Sequence, residues 1–446
     1  MRLEAALALT SAFTPEKFDQ FCQHLDRSWI EEALLATEAA TLRRRRLPAE
    51  QVVWLVLGMA LMRDRPIVDV VRHLDLALPD RGTSRTVAPS AISQARSRLG
   101  AAPLEWLFLR ASEQWAQESA TRHAWRGLGI FSVDGCTLRV PDSDVNRSHF
   151  GGQSAGAAGR GDSGYPQVRL VTLMAVRSHL LLTASFGSYN IDERTYAVDL
   201  WPSVPDDSLT LIDRGFLQAN VLVPLRRDGR NRHWLTRAKT TSKWRVLKTL
   251  GRGDLLIEMD VSREAQRKDP SLGQTFEARA IRYQRKGYQP QTLLTSLTDA
   301  AQYPAREIRE IYHERWEIEL AYDELKTEML QREESIRSKT PETVGQELWG
   351  ILLAYNLVRL EMERIADETG VEPVRVSFVA ALRYIVDEWG WSTLTNSPGA
   401  IPRHLCDMRD KIRRFILPPR RSDRTYPRAV KVKMSNYPLK RRGGRP

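Results

Sequence analysis

Tyr312, Arg315, Glu319 and Lys326 follow one another at spacings of three, four and seven residues within IYHERWEIELAYDELKTEML (311–330). At roughly 100° per residue they fall within an arc of about 60° on a helix, so the four make one stripe. Ile311, Ile318, Ala321, Tyr322, Leu325 and Met329 lie on an adjacent apolar stripe suited to a core, while Glu317, Glu324 and Glu328 point away as a solvated face. The quartet therefore stands where core meets solvent. Intrahelical ion pairing accounts for half of it at best: Arg315 and Glu319 are spaced i,i+4 in the weaker order, and Glu319 and Lys326 are two turns, about 10 Å, apart. A metal-binding carboxylate, flanked by two cations that hold phosphates and by a phenol that donates a hydrogen bond, accounts for all four.

Two more acids have a shared setting. IFSVD ends in Asp134 and LTLID ends in Asp213, each an apolar strand that delivers a carboxylate as the chain leaves a sheet. Taken singly, either is as well explained as a turn or cap residue. An acid after a buried strand is costly unless solvated, paired or bound to a metal, and strand ends in α/β sheets are where sites form. With Glu319 they give three carboxylates and no accompanying His or Cys ligand set, a combination that favours Mg²⁺ or Mn²⁺. Two such ions about 4 Å apart can activate a water or a 3′-hydroxyl on one side of a phosphodiester and steady the leaving oxygen on the other. The chemistry that follows is phosphoryl transfer on nucleic acid.

These residues need a sheet and a helix to hold them. GIFSVDGCTLRV (129–140), PQVRLVTLMAV (166–176) and LLLTASFG (180–187) read as strands, and SLTLID (208–213) follows a helix predicted over 193–200. That order predicts an α/β domain on a mixed sheet. Residues 1–125 read as helical throughout, with apolar periodicity in 18–35, 52–61, 67–76 and 104–115. Within them VAPSAISQARSRLG (87–100) predicts a short helix started by Pro89 and Ser90 and stopped by Gly100, with Arg96 and Arg98 exposed. It fits a helix-turn-helix DNA reader as well as an ordinary solvated helix. Residues 226–252 hold ten Lys or Arg against Asp228 alone, with Trp234 and Trp244 among them. We expect a basic β-rich insertion there, either a base-stacking surface or a solvated hairpin face. The apolar helices at 346–366 and 378–389, with Trp349 and Tyr355, are assigned to packing.

Net charge is +12 over 446 residues, and its location is informative. The last 36 residues, 411–446, carry thirteen Lys or Arg and one acid, Asp423, so the rest of the chain is neutral. Such a tail suits polyanion binding through phosphates, with Tyr426 and Tyr437 interleaved, although a solubilising tail has the same composition. Cys22, Cys136 and Cys406 are too few and too scattered for a disulfide framework or a zinc site. The apolar run 52–62 is too short to span a bilayer, and Glu4 interrupts the only signal-like stretch. We expect no membrane association and a cytoplasmic, nucleoid-associated protein.

The spacing Tyr312, Arg315, Glu319, Lys326 resembles the Y-R-E-K motif of DDE transposases of the insertion sequence four family. IDRGF (212–216) and SVDG (132–135) resemble its second and first aspartate segments, in the right order and with a β-rich stretch before the third acid. LRRRRLP (42–48), VAPSAISQARSRLG and RSKTPE (337–342) extend the similarity over nearly the whole chain.

The resemblance implies an RNase H-like core with Asp134, Asp213 and Glu319 as metal-binding catalytic triad, and two Mg²⁺ ions, replaceable by Mn²⁺. It implies that Tyr312, Arg315 and Lys326 contact the transposon end, and that a homodimer joins terminal inverted repeats to target DNA by nicking, hairpin formation and strand transfer. The implied division is 1–125 for DNA binding, 126–216 and 306–410 for the core and C-terminal helices, 217–305 for the insertion and 411–446 for the tail. Some relatives place a base-stacking aromatic before the Leu-Leu-Thr-Ser segment, where this chain has Gln291 and Thr292. The rival activities are a nuclease on the same fold that does not integrate, and a non-catalytic DNA-binding inhibitor of transposition.

Overall fold

In the computed structural model, which describes residues 25–40, 47–77, 87–152, 164–284, 289–331, 335–391 and 401–419, helices precede the first strand. They are α1 (Arg27–Ala36), α2 (Ala49–Leu61), α3 (Ile67–His73), α4 (Pro89–Leu99) and α5 (Ala102–Arg122). Every residue of α2 is buried, as its unbroken apolar run requires. The first seven residues of the periodic stretch at 18–35, the arginines of LRRRRLP and the tail from 420 onward lie outside the described residues.

The strands are β1 (Gly129–Arg139), β2 (Gln167–Ala175), β3 (Leu181–Ser188), β4 (Ser208–Ile212), β5 (Arg232–Arg237), β6 (Arg245–Gly251), β7 (Asp254–Asp260), β8 (Thr275–Tyr283) and β9 (Gln291–Thr295). Between them stand α6 (Asp144–Phe150), α7 (Glu193–Val198), α8 (Ala219–Arg227) and α9 (Arg263–Lys268). All nine strands join one mixed sheet in the order β3-β2-β1-β4-β5-β9-β8-β7-β6. β4 is parallel to both β1 and β5, and the other neighbours are antiparallel. The β-rich stretch at 217–305 is thus continuous with the sheet that carries Asp134 and Asp213.

After the sheet come α10 (Ala305–Glu314), α11 (Glu317–Asp323), a π-helical turn (Glu324–Met329), α12 (Pro341–Thr369), α13 (Phe378–Trp391) and α14 (Ile401–Arg413). Side chains alternate across a strand, and the sheet has a core on each face. Phe131, Val133 and Ile212 belong to a large core shared with α2, α5 and α12, whereas Ile130, Leu209 and Leu211 belong to a smaller one capped by Ile308, Ile311 and Tyr312 of α10. Gly350 lets α12 cross α2 closely, because a Cβ there would lie 2.3 Å from Cγ1 of Val56. Trp349 packs against Phe108 and Phe186, at ring separations of 5.3 and 4.8 Å.

The single helix expected over 311–330 is not what forms. α10 ends at Glu314 and α11 begins at Glu317, and around the join the N–H groups of Arg315, Trp316 and Glu319 bond three residues back, to Tyr312, His313 and Trp316. The two cores explain the break: Ile311 and Tyr312 belong to the smaller one, Ile318, Ala321, Tyr322 and Leu325 to the larger. A straight helix could not serve both faces of the sheet, so the chain turns as it passes from one to the other. Glu317 and Glu324 also depart from a solvated face, since both are held by buried partners described below. Among the described residues no helix is long and apolar enough to cross a membrane.

Candidate active site

β1 and β4 are parallel, and Val133 registers with Ile212. Asp213 is the residue after β4 ends, whereas Asp134 does not end its strand as expected: β1 runs on to Arg139 because β2 continues to pair with it, Asp134 lying opposite Thr172, so the two acids stand side by side where β4 stops and β1 continues. Asp213 accepts the N–H of Gly215 at 3.1 Å and so caps the short turn that ends β4. Asp134 Oδ1 accepts the N–H of Gly135 at 2.9 Å. Burial pushes the Asp134 carboxyl up to about 7, and neighbouring Glu193 and Asp213 add to this, against the pull of the Gly135 N–H and Arg315.

The third acid arrives from α11. Arg315, in the break between the two helices, donates from Nη2 to Oε1 of Glu319 at 2.9 Å, while its Nη1 stands 4.0 Å from Oδ2 of Asp134. The guanidinium thus links the helix acid to the strand acid. Tyr322 fixes α11 to β1, because its hydroxyl lies 2.5 Å from the carbonyl oxygen of Asp134, to which it donates, and 2.9 Å from Oγ1 of Thr172. Among the described residues, no three His, Cys, Asp or Glu side chains are gathered closely enough to hold a metal ion. The donor set is nonetheless all oxygen, and Asp134 is a buried acid whose charge Arg315 offsets only in part, which is the environment a hard cation would relieve.

Tyr312 is 8% exposed in the smaller core, with Arg315 and Arg237 beside it. Lys326 is half-buried on the π-helical turn. Two of the proposed DNA contacts, Arg96 and Trp234, are corrected. Arg96 is 6% exposed and turned inward, donating to Gln346 Oε1 at 2.9 Å, Ser338 Oγ at 2.8 Å and the Thr343 carbonyl at 3.2 Å, so it ties α4 to α12. A guanidinium at the helix flank found more acceptors inside than out; its neighbour Arg98 stays exposed. Trp234 is 2% exposed on a central strand and has no face to offer a base. Trp244 is half-buried against the larger core. Gln291 accepts a hydrogen bond from Tyr283 across the strand pair at 3.2 Å, so an aromatic ring does face that position, from β8 instead of β9.

No motif marks Glu193. It begins α7, where an acid reads as ordinary first-turn chemistry, yet its carboxyl stands close enough to Asp134 to raise that acid and faces Arg169 at 3.9 Å. Gly135 makes the seat, because a Cβ there would lie 2.2 Å from Glu193 Oε1. The glycine after Asp134 was the available signal of a close approach, though not of what approaches.

Residues 15–109 match the insertion element 4 transposase N-terminal family, and residues 125–357 match the transposase DDE domain. Transposase InsG for insertion sequence element IS4 from Escherichia coli is 39% identical over 418 residues, covering 93% of this chain and 92% of that protein. Putative transposase InsZ, also from Escherichia coli, is 38% identical over 221 residues, covering 50% of this chain and 72% of that one. A solved piggyBac transposase synaptic complex with hairpin DNA aligns over 92% of this chain at 12% identity and a TM-score of 0.43, too distant a likeness to argue from.

Proposed function

The chain belongs to the insertion sequence IS4 family of transposases and is a DDE transposase, and on that premise we propose that Asp134, Asp213 and Glu319 are the acids that hold its divalent metal. One observation carries this assignment: Asp134 and Asp213 stand one residue beyond a registered parallel pair, and Arg315 connects Asp134 with Glu319. An enzyme of this class depends on a divalent metal; magnesium, with manganese as a substitute and two ions per site, is the ion we assign. Bound there, it would supply Lewis-acid activation of the attacking hydroxyl and stabilisation of the leaving oxygen.

The chain's own groups do the rest. Arg315 exchanges its bond to Glu319 for one to a phosphate of the transposon end, which frees the carboxylate. Lys326 adds a second phosphate contact, and Tyr312 supports Arg315 from the smaller core. Tyr322 holds α11 against the Asp134 carbonyl, so the acid on the helix keeps its distance from the acid on the strand. The strand order β3-β2-β1-β4-β5, with β2 the antiparallel neighbour of β1, supports an RNase H-like reading of the core. We assign terminal inverted-repeat binding to the helical region 1–125, with Arg98 as one contact, and target or flanking DNA to the basic stretch 226–252 and the tail 411–446.

The product of the cycle is a cut element joined to target DNA, with a hairpin as the intermediate between nicking and joining. Joining two ends needs two active sites, so the working form is a homodimer on DNA in the cytoplasm, at the nucleoid. Fe²⁺ in place of Mg²⁺, with ascorbate and peroxide, cuts a protein backbone beside the bound ion. Cuts near 134, 213 and 319 are expected, and cuts confined to other segments would remove the assignment.

A further inference from the structure

Behind the helix that carries Glu319, the turn between β2 and β3 buries a histidine. His179 is 1% exposed, with φ 62°, a left-handed conformation that a residue other than glycine keeps only where its surroundings over-determine it. Its Nε2 lies 2.9 Å from Oε2 of Glu317. Its Nδ1 is hydrogen-bonded by Nη2 of Arg359, which is itself 1% exposed and also binds Glu324. Glu324 accepts from the Tyr355 hydroxyl at 2.9 Å, and Arg359 Nε reaches the same hydroxyl at 3.2 Å.

Donor and acceptor roles fix the tautomer. Arginine has only donors, so Nδ1 accepts and Nε2 carries the hydrogen given to Glu317. The 3.5 Å approach of Glu324 to Nδ1 is then a close contact between two acceptors, and Glu324 is satisfied by Arg359 and Tyr355. The result is a continuous chain from Glu317 through His179 and Arg359 to Glu324.

Glu317 and Glu324 bracket Glu319 along the chain. The segment between them is the two-turn helix α11, which starts at a helix break and runs into a π-helical turn, so neither of its ends is held by a continuing α-helix. Tyr322 attaches its middle to Asp134, and the buried cluster grips both its ends. A misplacement of about 1 Å at a reacting group costs on the order of 100-fold in rate. We infer that His179 is a positioning residue for DNA strand cleavage, setting through Glu317, and with Arg359 through Glu324, where Glu319 stands against Asp134 and Asp213. The inference rests on the reading of Glu319 as a catalytic acid.

Three variants test it, in the full-length protein with pre-bound transposon ends and Mg²⁺. Asn tolerates a left-handed backbone but is too short to reach Glu317, whereas Gln can reach it and donate. His179→Asn is expected to lower the single-turnover cleavage rate about 10- to 100-fold, with the affinity for the end within about twofold, and His179→Gln is expected to restore most of the rate. Glu317→Ala reports on the same link should either His179 variant fail to fold, and it is expected to lose rate to a similar extent. Pairing it with His179→Asn should then cost little more than either alone. An unchanged rate in His179→Asn and Glu317→Ala, an equal loss of end affinity, or no recovery in His179→Gln would overturn the inference. Glu319→Gln is run beside them: retained cleavage there overturns the reading beneath, whereas lost cleavage there with active His179 variants overturns the positioning role alone.

Discussion

Arg315 donates to Glu319 at 2.9 Å and keeps its other terminal nitrogen 4.0 Å from Asp134. One guanidinium therefore stands between the two acids that are proposed to share a cation. On the proposed assignment arginine and metal compete for Glu319, and phosphate and carboxylate compete for Arg315. Arg315→Ala should bind Ca²⁺ about 3- to 5-fold more tightly than wild type without DNA, the size expected of one partly exposed ion pair, while its affinity for transposon ends falls. Calorimetric titration with and without end DNA measures both.

Asp134 carries a pH dependence whose sign follows from its environment. Its carboxyl is raised from 3.8 to about 7 by burial first and by Glu193 and Asp213 after it, so between those values the folded state holds a proton that the unfolded state has lost. Stability from this group is full below about pH 4 and is lost as pH rises through about 7. Metal-free Asp134→Asn should thus be more stable than wild type at pH 8, by on the order of 1–3 kcal/mol, and the gain should vanish near pH 4. Thermal unfolding in chelator across that range gives the answer.

Two glycines separate packing from chemistry. A Cβ at Gly350 meets Val56 at 2.3 Å in a helix crossing, whereas one at Gly135 meets the end of the Glu193 side chain at 2.2 Å. Gly350→Ala should cost about 1–3 kcal/mol by overpacking. Gly135→Ala should leave the unfolding transition nearly unchanged, because Glu193 can swing aside, yet lower cleavage at least about tenfold by crowding the carboxyl next to Asp134. Chemical denaturation and a cleavage time course distinguish the two.

Arg96 and Arg98 sit two residues apart on α4 and should behave as opposites. Removing the inward guanidinium of Arg96 leaves the buried Oε1 of Gln346 without its donor and takes a bond from Ser338, so Arg96→Ala should destabilise by about 2–4 kcal/mol. Arg98→Ala should leave stability within about 0.5 kcal/mol and weaken binding to inverted repeats. Denaturation curves and gel shifts with end DNA check the pair.

How far the sequence reached depends on what each feature needed. The apolar runs leading to Asp134 and Asp213, the helix opened by Pro89, and the Tyr312 to Lys326 spacing are local patterns, and they could be read without partners; that β1 runs past Asp134 to Arg139 depends on its pairing with β2 and could not. The adjacency of the two aspartates came from strand register, which no single segment encodes. The helix break at Arg315 came from two cores on opposite faces of one sheet, each claiming half of an apolar stripe that looked continuous. Arg96, Trp234, Glu317 and Glu324 were misjudged for one reason: their type says polar or stacking, and only the packing of α12 and the central strands says that they face inward. His179 and Glu193 carry no motif at all, and their placement depends on residues well over one hundred and about sixty positions away in the chain.

The most direct test puts the protein on labelled transposon ends with Mg²⁺ and compares wild type with Asp134→Asn, Asp213→Asn and Glu319→Gln on one gel that resolves nicks, hairpins and joined products. Each replacement is predicted to abolish all three products while leaving end binding intact. Wild-type levels of nicking by any one of them would contradict the account.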